Sequence, residues 1–118
     1  DANDFENSKK YYLKAIELKP DYTKAYINVA ALILSQEQSI LDQMNSLGSS
    51  RADDIKYDKL KEKRNQMFLE AIPYLESAIS ITPENYQAAK TLSNIYSAVG
   101  NTKKYKEYKA IADSLDKK

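Results

Sequence analysis

Two stretches of sequence decide the fold of this chain: SKKYYLKAIELKP at residues 8–20 and AIPYLESAISITP at residues 71–83. Both contain a small residue, a large residue, a second small residue and a proline at the same intervals. Small residues let two helices approach closely, and a proline ends the helix that precedes it. The matched positions are Ser8, Tyr12, Ala15 and Pro20 in the first stretch and Ala71, Leu75, Ala78 and Pro83 in the second. This shared spacing predicts a repeated unit of closely packed helices.

Apolar residues recur at helical spacing along the chain, and turn signals divide them into segments. Between the two prolines, the only break is at Gly48-Ser49-Ser50. The predicted helices cover 4–19, about 24 residues from Thr23, a segment from Asp53-Asp54 to Pro83 with a kink at Pro73, then 85–98 and 102–115. The sequence therefore predicts an all-α fold of about five helices.

The repeated pattern resembles the tetratricopeptide repeat, a helix-turn-helix unit of about 34 residues whose copies stack into a solenoid. After each proline, the family has an aromatic, a large, a small and another large residue along one helix. Those places hold Tyr26, Val29, Ala30 and Ile33 after Pro20, and Ala89, Leu92, Ser93 and Tyr96 after Pro83. The resemblance implies an antiparallel helix-turn-helix solenoid, and a generic helical bundle is the alternative.

The spacing of the two prolines departs from the family pattern. Pro20 and Pro83 lie 63 residues apart, about 29 more than one repeat requires. Apolar periodicity continues through the extra residues, which predicts a long projecting helical hairpin inserted at about 37–64. In that hairpin Leu47 would face Tyr57, and Met44 would face Leu60. A disordered loop is the alternative, and the lengthened hairpin resembles a bacterial-type variant of the repeat.

The resemblance divides residues 1–118 into parts of a single domain. Residues 4–19 correspond to a half repeat, 22–82 to a lengthened repeat and 84–115 to a terminal repeat or cap, where Tyr105 replaces an expected small residue. A half repeat leaves an apolar face uncovered. We therefore expect the chain to be a C-terminal fragment of a longer array, unless the half repeat packs on its own chain.

Composition argues against catalysis. The chain has no His and no Cys, and its two glycines, Gly48 and Gly100, are isolated. A nucleophile–base pair, a thiolate metal site and a phosphate-binding loop therefore lack their usual residues. We expect no enzyme activity, no catalytic residues, no cofactor and no metal; the Asp53-Asp54 pair is interpreted as a helix-start feature instead of an acid site.

Charge and hydropathy narrow the range of partners. The net charge is +1 and no apolar run is long enough to cross a bilayer, so we expect neither nucleic-acid binding nor membrane insertion. Lys103, Lys104, Lys106 and Lys109 with Tyr105 and Tyr108 would suit nucleic acid, but the tyrosines fall on the predicted core stripe. The composition fits a cytoplasmic or a periplasmic protein equally.

The family resemblance also implies a binding surface. The first helix of each repeat lines a concave groove, and its outward positions contact the ligand. In this chain those positions are Lys24, Ile27, Asn28, Ala31, Gln87, Lys90, Thr91 and Asn94. Lys and Asn there resemble part of the clamp that holds a carboxylate in some family members, although the clamp spans three successive repeats; ordinary solvent-facing polar residues are the alternative.

These expectations favour a non-catalytic interaction scaffold that binds a peptide or protein segment on its concave helical face. The alternative function is structural: self-assembly through the open N-terminal face or through the long hairpin, for example as a homodimer. Identity of the partner is not encoded in any motif of the chain.

Overall fold

A computed structural model describes residues 2–116 of the protein, with side chains from residue 4 onward. Every regular element in this range is an α-helix. The molecule is elongated and flat, with principal extents of 48 × 35 × 18 Å. The helices are α1 (Ala2–Leu18), α2 (Thr23–Leu34), α3 (Glu37–Asn45), α4 (Arg51–Ile81), α5 (Tyr86–Ala98) and α6 (Thr102–Asp116).

The helix predicted to run about 24 residues from Thr23 is interrupted at Ser35 and Gln36, so it forms α2 and α3. Both residues keep right-handed helical dihedral angles. Their side chains compete for the backbone carbonyls: Ser35 Oγ donates to Leu32 O at 2.6 Å, and Gln36 Nε2 donates to Ile33 O at 3.0 Å. The prediction of an uninterrupted helix is therefore wrong, whereas about five helices is right if α2 and α3 count as one bent unit.

Helix α4 is 31 residues long and continues through Pro73. Ser50 caps its start by accepting a hydrogen bond from Asp53 N at 3.0 Å, while Asp53 Oδ2 accepts one from Gly48 N at 3.0 Å. Asp53 and Asp54 lie in the first turn, where their negative charges interact favourably with the positive end of the helix dipole. The long predicted hairpin is present: α3 packs against the first part of α4. We call α3 with residues 51–64 the hairpin arm, and the remaining helices the body.

The core lies where α2, the second part of α4 and α5 meet. The small residues of the predicted pattern, Ala71 and Ala78, are fully buried, as are Ala30, Ala88 and Ala89. Ser93 is the buried polar residue here, and its hydroxyl donates to Lys90 O at 2.8 Å. The predicted close approach of helices at alanine and serine positions is thus realised in the body.

Apolar spacing predicts a core stripe of Tyr57, Leu60, Met67, Ala71, Leu75 and Ala78 on the helix that ends at Pro83, and of Tyr105, Tyr108, Ile111, Ala112 and Leu115 on the last helix. The structure corrects two of these positions. Tyr57 was expected to face inward, but its side chain is 45% exposed because only α3 lies beside that end of α4. Ile111 is 38% exposed, whereas the adjacent Ala112 is 1% exposed and provides the buried contact of α6, which packs mainly on α5. The stripe also omitted Phe68 and Ile72, which are buried on α4.

Both ends of the body show features that the sequence indicates. Gly100 has φ of 81°, a left-handed conformation that ends α5 and that glycine adopts without strain. At the other end, α1 packs on α2, and Lys9 Nζ lies 2.6 Å from Glu70 Oε1 of α4. The opposite face of α1 is open: Tyr11 and Leu18, seven residues apart, are 73% and 74% exposed.

Candidate functional site

A groove of about 430 Å³ lies between the outward face of α2 and the first turn of α5. On α2, the buried residues Ala25, Val29, Ala30 and Ile33 point into the core, so the residues that face the groove lie on the other side of the helix. The helical period then leaves one outward stripe for the groove. Five of the eight predicted binding residues line the groove: Lys24, Ile27, Asn28 and Ala31 from α2 and Gln87 from α5.

Local hydrogen bonds fix the two helix starts that form this groove. Asn85 caps α5 by accepting from Ala88 N at 2.9 Å, and Tyr26 on α2 donates to Pro20 O at 2.7 Å. Thr23 and Thr82 share a hydrogen bond of 2.7 Å between their hydroxyl oxygens. All three polar residues at these starts, Thr23, Thr82 and Asn85, are groove-lining. The groove is therefore preorganised at the starts of the two helices.

Two more predicted residues, Thr91 and Asn94, lie elsewhere on α5. They line a second pocket of about 290 Å³ at the base of the hairpin arm. Its apolar walls are Leu34, Phe68, Ile95 and Ala98, and Glu37 and Arg64 complete its rim. Lys90, the eighth predicted residue, is exposed on α5 and lines neither pocket.

Sequence reasoning missed the residues that the hairpin arm contributes to this second pocket. Arg64 Nη2 and Nε donate to the same oxygen, Glu37 Oε2, at 2.7 and 3.0 Å. The guanidinium carbon of Arg64 lies 5.0 Å from the ring centroid of Phe68, which suits a cation–π contact. A cation at a heptad position between apolar residues was the available signal, since Arg64 interrupts the stripe between Leu60 and Met67.

A tyrosine cluster on the other side of the body was also missed. The rings of Tyr96 and Tyr108 stack with centroids 5.7 Å apart, and both hydroxyls donate to Glu76 Oε2, at 3.4 and 3.3 Å. Burial, with the Glu76 charge, raises the pKa of Tyr108 to about 12 and raises that of Tyr96 as well. Tyr105 and Tyr108 pack against the core. This cluster fastens α6 to α4 and α5.

Among residues 4–116, whose side chains are described, no three acidic side chains converge as a metal site would require. Within the described range, no helix combines the length and apolar character needed to cross a membrane.

Comparison with known families gives one match. Residues 1–22 match the family model of the tetratricopeptide repeat. No curated protein matches the chain significantly. The match falls on α1 and the turn after it, and so includes the first of the two repeated stretches, which ends at Pro20. It supports the tetratricopeptide resemblance, and the antiparallel, all-helical architecture of the described residues fits a helical-repeat solenoid of that kind.

Proposed function

We propose that the groove between α2 and α5 binds an extended, acidic segment of a partner protein without catalysing a reaction. Tetratricopeptide repeats generally mediate protein–protein interaction, and that family is typically non-enzymatic. One observation carries the proposal: five of the residues implied by the resemblance, from two helices about sixty residues apart in sequence, line a single groove.

Charge supports an acidic partner. Lys24 and Lys90 are the only charged residues on α2 and α5, so these two helices present two positive charges and no negative one. The Lys24 ammonium and the Asn28 amide, one helical turn apart, can both donate hydrogen bonds to a carboxylate. An acidic side chain or a C-terminal carboxylate is the group that we assign to this part of the groove.

The proposed function rests on a repeat division that follows the resemblance. In this division, residues 4–19 form a half repeat, 22–82 a lengthened repeat that includes the hairpin arm, and 84–115 a terminal repeat. Helices α2 and α5 are then equivalent first helices, which is why their outward faces meet in one groove.

Paired lysine variants test the groove. The probe is an array of fluorescein-labelled heptapeptides that combine Asp and Glu with apolar residues, and binding is measured by fluorescence anisotropy. For the peptides that bind wild-type protein, Lys24→Ala with Lys90→Ala should weaken binding at least about tenfold, as expected when hydrogen bonds to a charged group are lost. Lys103→Ala with Lys106→Ala on α6 is the control, because it lowers the net charge by the same amount away from the groove; this variant should keep the binding.

Two outcomes would overturn the groove proposal. One is that wild-type protein retains none of the peptides. The other is that both lysine pairs weaken binding equally, because attraction would then depend on net charge alone. Melting followed by circular dichroism must show that each variant remains folded.

A second function is favoured by the open face of α1. Tyr11 and Leu18 are the two most exposed large apolar side chains of the described residues, and helical spacing puts them on one face. Self-association through this face would cover them. Light scattering over a concentration series should then show a homodimer that Leu18→Glu abolishes and that Leu69→Glu, at a 54% exposed site on α4, leaves intact. A wild-type monomer at every concentration would exclude this function.

A further inference from the structure

The pocket at the base of the hairpin arm continues the groove along the same two helices. Leu34 is the last residue of α2 and Ala98 the last of α5, whereas Lys24 and Gln87, which line the groove, lie in the first turns of these helices. The helices therefore run in the same direction with one opening at each end. Lys24 and Leu34 are ten residues apart on α2, a rise of about 15 Å. A segment of roughly four or five extended residues would therefore connect the two openings.

The volume and lining of this pocket suit one side chain. Its 290 Å³ lies just under the range of about 300–1,000 Å³ that is typical for whole small molecules. Leu34, Phe68, Ile95 and Ala98 make most of the wall apolar, which favours an aliphatic or aromatic group over a charged one.

The Glu37–Arg64 pair leaves hydrogen-bonding capacity at the rim. Both of its hydrogen bonds end on Glu37 Oε2. Among the described residues, no hydrogen bond reaches Arg64 Nη1 or Glu37 Oε1. A peptide group offers the matching chemistry, because its carbonyl oxygen accepts from a guanidinium and its N–H donates to a carboxylate.

We propose that this pocket is an anchor subsite for an apolar residue of the bound segment. In this subsite the apolar walls take the side chain, and Arg64 and Glu37 pair with the adjoining peptide group. The inference rests on the proposed groove function and assigns a role to the hairpin arm, which supplies Glu37 and Arg64. The partner is then an acidic segment in which a carboxylate and an apolar residue lie four or five residues apart.

Peptides that vary this separation test the subsite. Each fluorescein-labelled probe carries an Asp-Asp pair, a spacer of one to eight Gly and Ser residues, and then either Leu or Ala. Wild-type protein should bind the Leu peptide at least about tenfold more tightly than the Ala peptide, as is usual for a filled apolar pocket. The preference should be largest when the spacer places Leu four or five residues from the acidic pair.

A cavity-filling variant tests whether the preference for the Leu peptide arises in this pocket. Ala98→Leu places a larger side chain in the pocket wall, and it should bring the Leu and Ala peptides to within about twofold of each other. Ala110→Leu is the matched control, because Ala110 is an exposed helical alanine on α6. This control should keep the preference for Leu.

The outcomes separate this inference from the groove proposal. If Ala98→Leu keeps the Leu preference, or if wild-type protein has none, the subsite is wrong. Should acidic peptides in the same experiment still require Lys24, the groove would stand without the subsite. A wild-type protein that binds no peptide of either kind would overturn both.

Discussion

The two parts of α4 share one continuous helix but have very different surroundings. In the body, Ala71, Leu75 and Ala78 are 0–2% exposed because α2 and α5 cover the helix from two sides. In the hairpin arm, Ile55 and Tyr57 are 51% and 45% exposed, since α3 alone lies beside the helix. The apolar spacing is helical in both parts. The comparison teaches that the number of neighbouring helices, more than the pattern on the helix itself, decides how deeply its residues are buried.

Leucine truncation should give the largest contrast between body and hairpin arm. Leu75→Ala removes a side chain that is 2% exposed, and we expect it to lower the free energy of unfolding by about 2–5 kcal/mol. Leu60→Ala, on the same helix but half-buried in the arm, should cost roughly 1 kcal/mol because less apolar surface is lost. Urea unfolding followed by circular dichroism measures both. Equal losses would show that the arm is packed as tightly as the body.

Enlarging an alanine should give the next largest contrast. Ala78 is fully buried at a close approach between helices, so Ala78→Leu should overpack that contact and cost on the order of 1–3 kcal/mol. Ala52→Leu makes the same change at an exposed site of the arm and should stay within about 0.5 kcal/mol of wild type. An unchanged melting temperature for Ala78→Leu would contradict the predicted small-residue positions.

The tyrosine cluster allows a test of the body alone by pH. Because the folded protein raises the pKa of Tyr108 from 10.0 to about 12, the unfolded chain loses this proton first as the pH rises. The stabilisation is therefore complete below pH 10 and is lost between pH 10 and 12. Urea unfolding at pH 8 and pH 11 should show this loss, and Tyr108→Phe should reduce it. A loss that Tyr108→Phe leaves unchanged would place its origin elsewhere, for example in lysine deprotonation.

Within the body, the ion pair that joins α1 to α4 should contribute least. Lys9 and Glu70 side chains are 24% and 44% exposed, so Lys9→Met should cost only about 0.2–1 kcal/mol. The hydrogen bond to Glu70 raises the pKa of Lys9, and the contribution should therefore persist at neutral pH and disappear in strong alkali. Added salt should reduce the difference between wild type and Lys9→Met. A difference that salt does not change would point to lost packing of the lysine stem.

Helical periodicity predicted most of the buried positions and helix bounds of the body, because buried residues of a helix that packs between two neighbouring helices follow the periodicity closely. Leu92 and Ser93, expected on the inward face of α5, are both buried, and Thr23 begins α2 as expected. Phe68 and Ile72 were missed because contacts on a second side of α4 widen its buried stripe. The break at Ser35 and Gln36 was missed because it arises from local side-chain bonds to carbonyls, which leave no periodic signal.

The candidate site likewise has one part that the sequence predicted, the groove, and one part that it did not, the pocket at the base of the arm. The groove residues follow from the family resemblance, since one helix face repeats after each proline. The pocket at the arm base requires residues from α2, α3, α4 and α5 to meet, and no spacing rule links Glu37 with Arg64 or Phe68 with Ala98. Lys90 lines neither opening, although it lies on α5 between Gln87, which lines the groove, and Thr91, which lines the pocket.

The hairpin arm also has an evolutionary consequence. Its two helical segments, α3 and residues 51–64, are antiparallel. An insertion or deletion of equal length in each segment would therefore move the tip of the arm and leave its base in register. Steps of seven residues, two helical turns, would add or remove about 10 Å of reach while keeping the same face towards the partner helix. Glu37 and Arg64 would stay at the rim of the second pocket throughout. Descendants of this sequence could therefore change how far the molecule extends without altering the pocket at the base of the arm.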